Sequence, residues 1–193
     1  MAYVTTAEAK TYIGGLNTAD DDTLIADLIT HTESYIESET GRKFDESATT
    51  RNFDAVADVD GLTLFLDEDL ASITSITNGD ADSTVITSGQ YVTEPRNDTP
   101  YYSIRLLSSA SVTWEYTNDP EDAIAINGVW AFGATVPEDI KLACLDIVKV
   151  LYRSRDANNL TGQTIISGGL VITPSDVPNT TKRTLARYTK NYD

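Results

Sequence analysis

The spacing of apolar residues changes twice along the chain, and this change most constrains the fold. Near both ends, apolar residues recur at steps of three and four, the period of a helix with one buried face. Between about residues 45 and 133, apolar runs are short or alternating, and turn residues separate them. The sequence therefore predicts an α+β fold: a helical core from residues 1–44 and 134–193, and a β-rich insertion, a small sandwich or barrel, over 45–133.

Four helices are predicted in the helical core. Thr5 and Glu8 have the spacing of a capping box, and a Gly-Gly pair at 14–15 ends the first helix. The second helix, starting between residues 18 and 22, carries one apolar stripe: Leu24, Ile25, Leu28, Ile29, Tyr35 and Ile36. The third begins at Pro137 with a stripe that contains Cys144, and the fourth begins at Pro178.

About six strands are predicted in the insertion, and turn residues separate them. They cover residues 62–66, 73–77, 85–87, 101–107, 112–116 and 124–132. Asn78-Gly79 is typical of a two-residue hairpin turn. One further hairpin, at 163–172, is predicted between the last two helices.

The residue types that carry most enzyme chemistry are scarce. The chain has one histidine, His31, and one cysteine, Cys144. His31 is predicted to lie on or beside a buried stripe and Cys144 to be a small buried hydrophobe, and no third group orients such a pair. No P-loop or dinucleotide-binding glycine fingerprint occurs. We therefore expect no enzyme: no catalytic residue, no metal ligand and no cofactor.

Two acidic runs, residues 20–22 and 67–69, have the composition of a cation site but not its spacing. Calcium loops alternate oxygen ligands around a defined glycine and close with a glutamate. The first run is better explained as a helix start, where acids complement the dipole, and the second as a solvated loop.

Charge is distributed unevenly. The 14 basic and 30 acidic residues give a net charge of -16, divided into -20 over residues 1–140 and +4 over 141–193. An acidic body repels a phosphate backbone, so tight nucleic-acid binding is not expected. No signal peptide and no apolar run of about 20 residues is visible, which predicts a soluble protein without membrane association, made in a reducing compartment.

Several segments, taken in order, resemble the head-to-tail adaptor (connector) proteins of long-tailed bacteriophages and prophages. Residues 3–14 resemble the first helix of that family, and 21–44, ending Thr-Gly-Arg-Lys-Phe, its second. Residues 64–79 resemble the first half of its β insertion and 136–156 its long helix. Residues 128–133 resemble its tryptophan-containing strand, with Ala131 where a glycine is usual.

The resemblance implies a structural protein of the virion neck, made in the host cytoplasm and acting in viral genome packaging. Such adaptors form a homo-oligomeric ring, usually of twelve subunits, beneath the portal protein. The ring extends the DNA channel, through which DNA passes without tight binding, and offers a docking surface to a stopper or tail-completion protein.

In the family, the C-terminal helix generally engages the portal. The basic end of this chain is suited to an acidic portal surface. The expected portal-docking residues are Lys182, Arg183, Leu185, Arg187, Tyr188 and Lys190, with Leu185 and Tyr188 as apolar anchors. A solvated last helix, whose bases only suit its dipole, is the alternative.

Three other functions compete with the adaptor. The first is another neck or tail protein, such as a stopper or tail terminator. The second is a hydrolase that uses carboxylates of the insertion, which predicts a pocket with two convergent acids. The third is a β-sandwich that binds sugars or surfaces through several exposed aromatic residues, drawn from Tyr91, Tyr101, Tyr102, Trp114 and Trp130.

Overall fold

The computed structural model has helices at both ends of the chain and strands in its middle. It describes residues 2–15, 19–161 and 177–190, without the side chains of 155–161. The helices are α1 (Thr6–Ile13), α2 (Asp22–Thr40), α3 (Glu138–Thr161) and α4 (Asn179–Tyr188). The strands are β1 (Ala48–Phe53), β2 (Val59–Asp60), β3 (Thr63–Leu70), β4 (Ser72–Thr77), β5 (Val85–Ile86), β6 (Tyr91–Glu94), β7 (Tyr101–Leu106) and β8 (Ile124–Val129). The α+β class predicted from the apolar spacing is confirmed.

Contacts divide the chain into two compact units. The helical unit comprises Met1–Arg42 and Val136–Asp193, and the insertion comprises Lys43–Thr135. The predicted hairpin at 163–172 lies outside the described residues.

The start of α1 is fixed by the predicted capping box. The hydroxyl of Thr5 accepts a hydrogen bond from the amide of Glu8 at 3.2 Å, and the Glu8 carboxylate accepts one from the Thr5 amide at 2.7 Å. These bonds satisfy two amides that a helix start otherwise leaves unpaired. The helix ends at Gly14, whose φ of 154° is outside the range that other residues readily adopt.

The second helix buries a face slightly different from the predicted one. Ile25, Leu28, Ile29 and Ile36 are buried as expected, together with Thr32 and Thr40. Leu24 was wrongly assigned to this stripe, since 38% of it is exposed. Its position on the helical wheel lies at the flank of the buried face rather than on it.

The predicted stripe of α3 is confirmed. Among the described side chains of this helix, the buried residues are Ile140, Ala143, Cys144, Ile147, Val148, Leu151 and Tyr152. They recur at steps of three and four, so one face of α3 packs against α1, α2 and α4 at the centre of the helical unit.

The insertion consists of two four-stranded antiparallel sheets. Their strand orders are β1-β8-β4-β5 and β2-β3-β7-β6. Side chains of both sheets, among them Ile76, Ile126, Leu64 and Ile104, form one buried core. The sheets do not close on each other, so the barrel alternative is excluded and the insertion is an open two-sheet structure.

One predicted strand, at 112–116, does not form, and three strands were missed: β1, β2 and β6. Residues 112–116 alternate because Trp114 packs on the core, yet the segment forms only one bridge, between Tyr116 and Gly79. The first strand, β1, was missed because its residues are mostly polar and exposed. It is held by pairing with β8, a long-range contact that local sequence does not encode.

The Asn78-Gly79 pair does not form a two-residue turn. The Asn78 side chain accepts a hydrogen bond from the Glu115 amide and donates one to the Thr113 carbonyl, both at 2.9 Å. A Cβ on Gly79 would lie 2.6 Å from Cβ of Ala123. Asn78 therefore anchors the segment that contains Thr113 and Glu115, and Gly79 permits the close approach of Ala123.

The acidic run at 67–69 lies inside β3 rather than in a solvated loop. Arg51 reaches it from β1 and forms ion pairs with Asp67 at 3.2 Å and Glu68 at 2.7 Å. The same guanidinium lies 5.0 Å from the ring centroid of Trp130. These carboxylates therefore face a fixed cation, which connects strands of the two sheets.

Gly128, in the central strand β8, is expected to be essential for the insertion. A Cβ there would lie 2.2 Å from the carbonyl oxygen of Ser72 and 2.9 Å from Cδ1 of Leu70. Gly128→Ala should therefore lower the free energy of unfolding by about 2–3 kcal/mol, measured by urea denaturation. Gly89→Ala is the matched control, because no atom lies within 4 Å of its added Cβ. Equal stability of the two variants would contradict the close approach.

Candidate interaction surface

The last helix, α4, has one buried face and one basic face. Thr181 and Leu185, four residues apart, are buried in the helical unit. Lys182, Arg183 and Arg187 are exposed on the other side. Within the described part of the chain, neither the Lys182 nor the Arg183 side chain has a hydrogen-bond or ion-pair partner. The sequence therefore places three cations on one exposed face.

Asp139, in the first turn of α3, holds the end of α4. Its two carboxylate oxygens accept hydrogen bonds from the Tyr188 hydroxyl at 2.6 Å and the Arg187 guanidinium at 3.1 Å. Burial and the hydrogen bond to Asp139 raise the pKa of Tyr188 to about 12. The phenol therefore remains a donor at neutral pH, and α4 is fixed to α3.

The backbone after α4 is held by the end of α2. The Arg42 guanidinium donates to the Tyr188 carbonyl at 2.6 Å, and the Lys190 amide donates to the Thr40 carbonyl at 2.8 Å. The carbonyl at a helix C-terminus otherwise lacks a partner, and a cation stabilises it. The end of α4 is thus attached to α3, through Asp139, and to the end of α2, through Thr40 and Arg42.

A second carboxylate, Asp146 of α3, connects α1 to α4. It accepts hydrogen bonds from the Tyr12 hydroxyl at 2.6 Å and from Thr181 at 3.4 Å. The hydrogen bond to Asp146 and burial raise the pKa of Tyr12 to about 12, and the Lys149 ammonium lies 4.7 Å from the Tyr12 ring centroid. Sequence reasoning missed both aspartates, because their partners are 35 to 134 residues away.

The structure separates the six predicted docking residues into three groups. Lys182, Arg183 and Arg187 are exposed on α4, and Arg187 also pairs with Asp139. Leu185 is only 4% exposed, and the Tyr188 hydroxyl binds Asp139, so neither is positioned as an apolar anchor for another protein. Lys190 lies beyond the end of α4 rather than on its basic face. Helical spacing cannot distinguish an anchor for a partner from an anchor within the protein itself.

The single histidine and the single cysteine of the sequence do not form a site with each other. His31 is exposed rather than packed, whereas Cys144 is completely buried. Burial raises the pKa of the Cys144 thiol to about 12, which keeps it protonated and unreactive. Among the described residues, no group of three or more His, Cys, Asp or Glu side chains is arranged to hold a metal ion. No described helix is long and apolar enough to span a membrane.

The aromatic residues considered for ligand binding do not form one exposed face. Trp114 and Trp130 are buried, and their indole nitrogens donate to the carbonyls of Leu62 and Thr49. Tyr102 is 60% exposed, whereas Tyr91 and Tyr101 are partly buried. Tyr91 and Tyr101 instead line a cleft of about 520 Å³ in the insertion.

The complete fold resembles two solved structures. One is a chain in the neck of an empty gene transfer agent (GTA) particle determined with C6 symmetry, with a TM-score of 0.59. The other is a chain in the virion of a native GTA particle, with a TM-score of 0.61. Each is 16% identical to this chain, and each match covers 99% of this chain and 91% of the other. At 16% identity, the similarity shows that the fold is shared.

No protein-family profile matches the chain, and no curated protein sequence matches it.

Asp139→Asn should loosen α4. The amide is a weaker acceptor than the carboxylate and removes the charge that faces Arg187, so stability should fall by about 1 kcal/mol. Hydrogen exchange of the α4 amides measures this directly and should accelerate several-fold. Glu138→Gln is the matched control, because Lys141 is the one described residue that pairs with that exposed carboxylate. Similar exchange in the two variants would contradict the role of Asp139.

Proposed function

We propose that the protein is a structural component of the neck of a phage-like virion, and specifically a head–tail adaptor. The observation that carries the proposal is the fold match, which spans 99% of this chain and 91% of chains from GTA neck and virion particles. The ordered sequence resemblance to head-to-tail adaptors supports the same function independently.

A ring beneath the portal is the proposed assembly. One of the matching chains comes from a neck with C6 symmetry, and a ring of six or twelve copies is compatible with that symmetry. Cyclic rings need a heterologous interface, in which one surface of a copy meets a different surface of its neighbour. Twelve subunits remain the number implied by the adaptor family.

The charge distribution suits a DNA conduit. The insertion, Lys43–Thr135, has four basic and 16 acidic residues, for a net charge of -12. The helical unit has 10 basic and 14 acidic residues, for a net charge of -4. An acidic lining repels phosphates and keeps DNA from adhering as it passes, since affinity for DNA requires cations.

The basic face of α4 is the proposed portal-docking surface. Lys182, Arg183 and Arg187 supply exposed positive charge on a helix that Asp139 and Arg42 hold in place. Electrostatic complementarity would speed docking on an acidic portal surface. A stopper or tail-completion protein is the proposed partner on the opposite side of the ring.

A non-enzymatic role is part of the proposal. Cys144 is buried with a raised pKa, and His31 is exposed on another helix. The 520 Å³ cleft of the insertion has Arg96 as its charged lining residue and no convergent pair of acids. A stopper or tail terminator remains the second candidate, because the same neck fold match would support it.

Electron microscopy of the particle neck tests the adaptor assignment. We expect a ring of this chain in direct contact with the portal, with six- or twelvefold symmetry. A ring separated from the portal by another protein would favour the stopper. A single copy lying off the particle axis would overturn both candidates.

Charge reversal tests the docking surface. Lys182→Glu combined with Arg183→Glu should reduce recruitment to portal-bearing capsids at least tenfold, because two cations would become anions that face an acidic surface. Arg187 is left unchanged, because it also binds Asp139 within the helical unit. Recruitment is measured by co-sedimentation. Arg105→Glu, an exposed position in the insertion, is the control, and unchanged recruitment of the double variant would refute the docking surface.

A further inference from the structure

Three segments of the insertion meet at one end of its first sheet, where β1 and β4 end and β8 begins. The Ala55 amide donates to the Pro120 carbonyl at 2.9 Å, which joins the first segment to the third. Gly79 forms a bridge with Tyr116, which joins the second segment to the third. We call this end of the sheet the tip surface, and it comprises residues 54–58, 78–85 and 115–122.

The tip surface exposes large apolar side chains. Val56 is 58% exposed, Val85 57% and Tyr116 46%, and each comes from a different segment. Seven large apolar side chains are exposed in the described part of the chain, so this one end of one sheet holds three of them. Exposed apolar groups that are gathered together and surrounded by polar residues are typical of an interaction site.

The charged residues of the tip surface are all acidic. Its three segments contain no Lys or Arg and eight acidic residues: Asp54, Asp58, Asp80, Asp82, Glu115, Asp119, Glu121 and Asp122. These are half of the 16 acidic residues of the insertion, whose four basic residues all lie elsewhere. The side chains of Asp82, Asp119, Glu121 and Asp122 are exposed, and no described group forms an ion pair or hydrogen bond with them. Their charge is therefore directed to solvent or to a partner.

Apolar and acidic groups together select a basic protein surface with an apolar centre. A phosphate backbone would be repelled by the carboxylates, which excludes a nucleic acid. A small cation would neutralise carboxylates but would leave Val56, Val85 and Tyr116 in water. A protein surface can bury the apolar side chains at its centre and place Lys or Arg against the carboxylates at its rim.

Two other surfaces of the proposed neck fit the tip surface less well. The portal surface proposed to dock on α4 is acidic, so it would repel a second acidic surface. The basic face of α4 in a neighbouring copy has the required charge. However, Ala186 is the largest apolar residue at the exposed positions of that helix, so it offers little to cover Tyr116 and Val85.

We propose that the tip surface binds the stopper or tail-completion protein, through a basic surface with an apolar centre on that partner. The inference rests on the proposed adaptor function, and it names the surface that joins the ring to its second partner. Val85 and Tyr116 supply the contacts that become buried, while the carboxylates around them attract and orient the partner.

Charge reversal tests the acidic rim. Portal-bearing capsids that carry the wild-type chain or a variant are mixed with purified tails and their completion proteins, and the fraction joined to a tail is counted by electron microscopy. Glu121→Lys should lower this fraction about tenfold or more, because a cation then faces a basic partner in every copy of the ring. The amount of the chain on each capsid should stay the same.

Asp98→Lys is the matched control for this charge reversal. It makes the same change at an exposed position of the insertion, in the loop between β6 and β7 and outside the tip surface. Tail joining should remain at the wild-type value in this variant. Equal tail joining by Glu121→Lys and Asp98→Lys, or loss of the Glu121→Lys chain from the capsid, would overturn the proposal.

Removal of the apolar centre is a second test that leaves the charge unchanged. Val85→Ser combined with Tyr116→Ala should also lower tail joining about tenfold or more, with the chain still bound to the capsid. Phe65→Ser combined with Tyr102→Ala is the matched control, because these side chains are 51% and 60% exposed on the second sheet. Full tail joining by the tip variant would refute the docking surface.

Two further arms identify the partner and separate this inference from the adaptor function. If Lys182→Glu restored tail joining to the Glu121→Lys chain, the tip surface would bind α4 of a neighbouring copy, and the proposal would be overturned. Tails that join capsids lacking this chain would count against the adaptor itself. Tail joining that requires the chain but tolerates both tip variants would overturn only the present inference and leave the adaptor standing.

Discussion

Pairing between the first and last strands of the insertion is the constraint on which the rest of the structure depends. Ala48 of β1 pairs with Val129 of β8, and the ladder continues to Phe53 and Ile124. Just outside it, the Phe132 amide donates to the Lys43 carbonyl at 2.8 Å, and the Phe44 and Phe132 rings lie 5.7 Å apart. The two ends of a segment of about 90 residues therefore meet. Closing a flexible loop of that length costs about 4 kcal/mol, which this ladder and the two-sheet core must offset.

The same closure makes the helical unit possible. Helices α2 and α3 are separated by almost 100 residues, yet their buried faces form one core because the insertion returns the chain to its starting point. Asp139 and Asp146 then join α3 to α1 and α4 through tyrosine and threonine hydroxyls. An acidic chain thus uses some of its carboxylates as internal acceptors, where each replaces a hydrogen bond to water.

The sequence predicted the features that depend on residues close together in the chain. The capping box at Thr5 and Glu8, the α3 stripe and the start of α4 depend on neighbours within a few residues, and all three are confirmed. Strand β1 and the role of Asn78 were not predictable in this way, because each depends on residues tens of positions away. For the basic face of α4, the pattern identified the exposed cations, but it could not show that Leu185 and Tyr188 serve the helical unit itself.

The antiparallel β1–β8 ladder also determines how the insertion responds to mechanical force. Its first pair, Ala48 with Val129, is the pair nearest the helical unit on both strands. Tension across the two ends of the insertion therefore loads the ladder one residue pair at a time, from this end inwards, rather than all pairs together. Under such tension the insertion would yield by successive unzipping from Ala48 and Val129, at a lower force than simultaneous rupture of all the pairs would need.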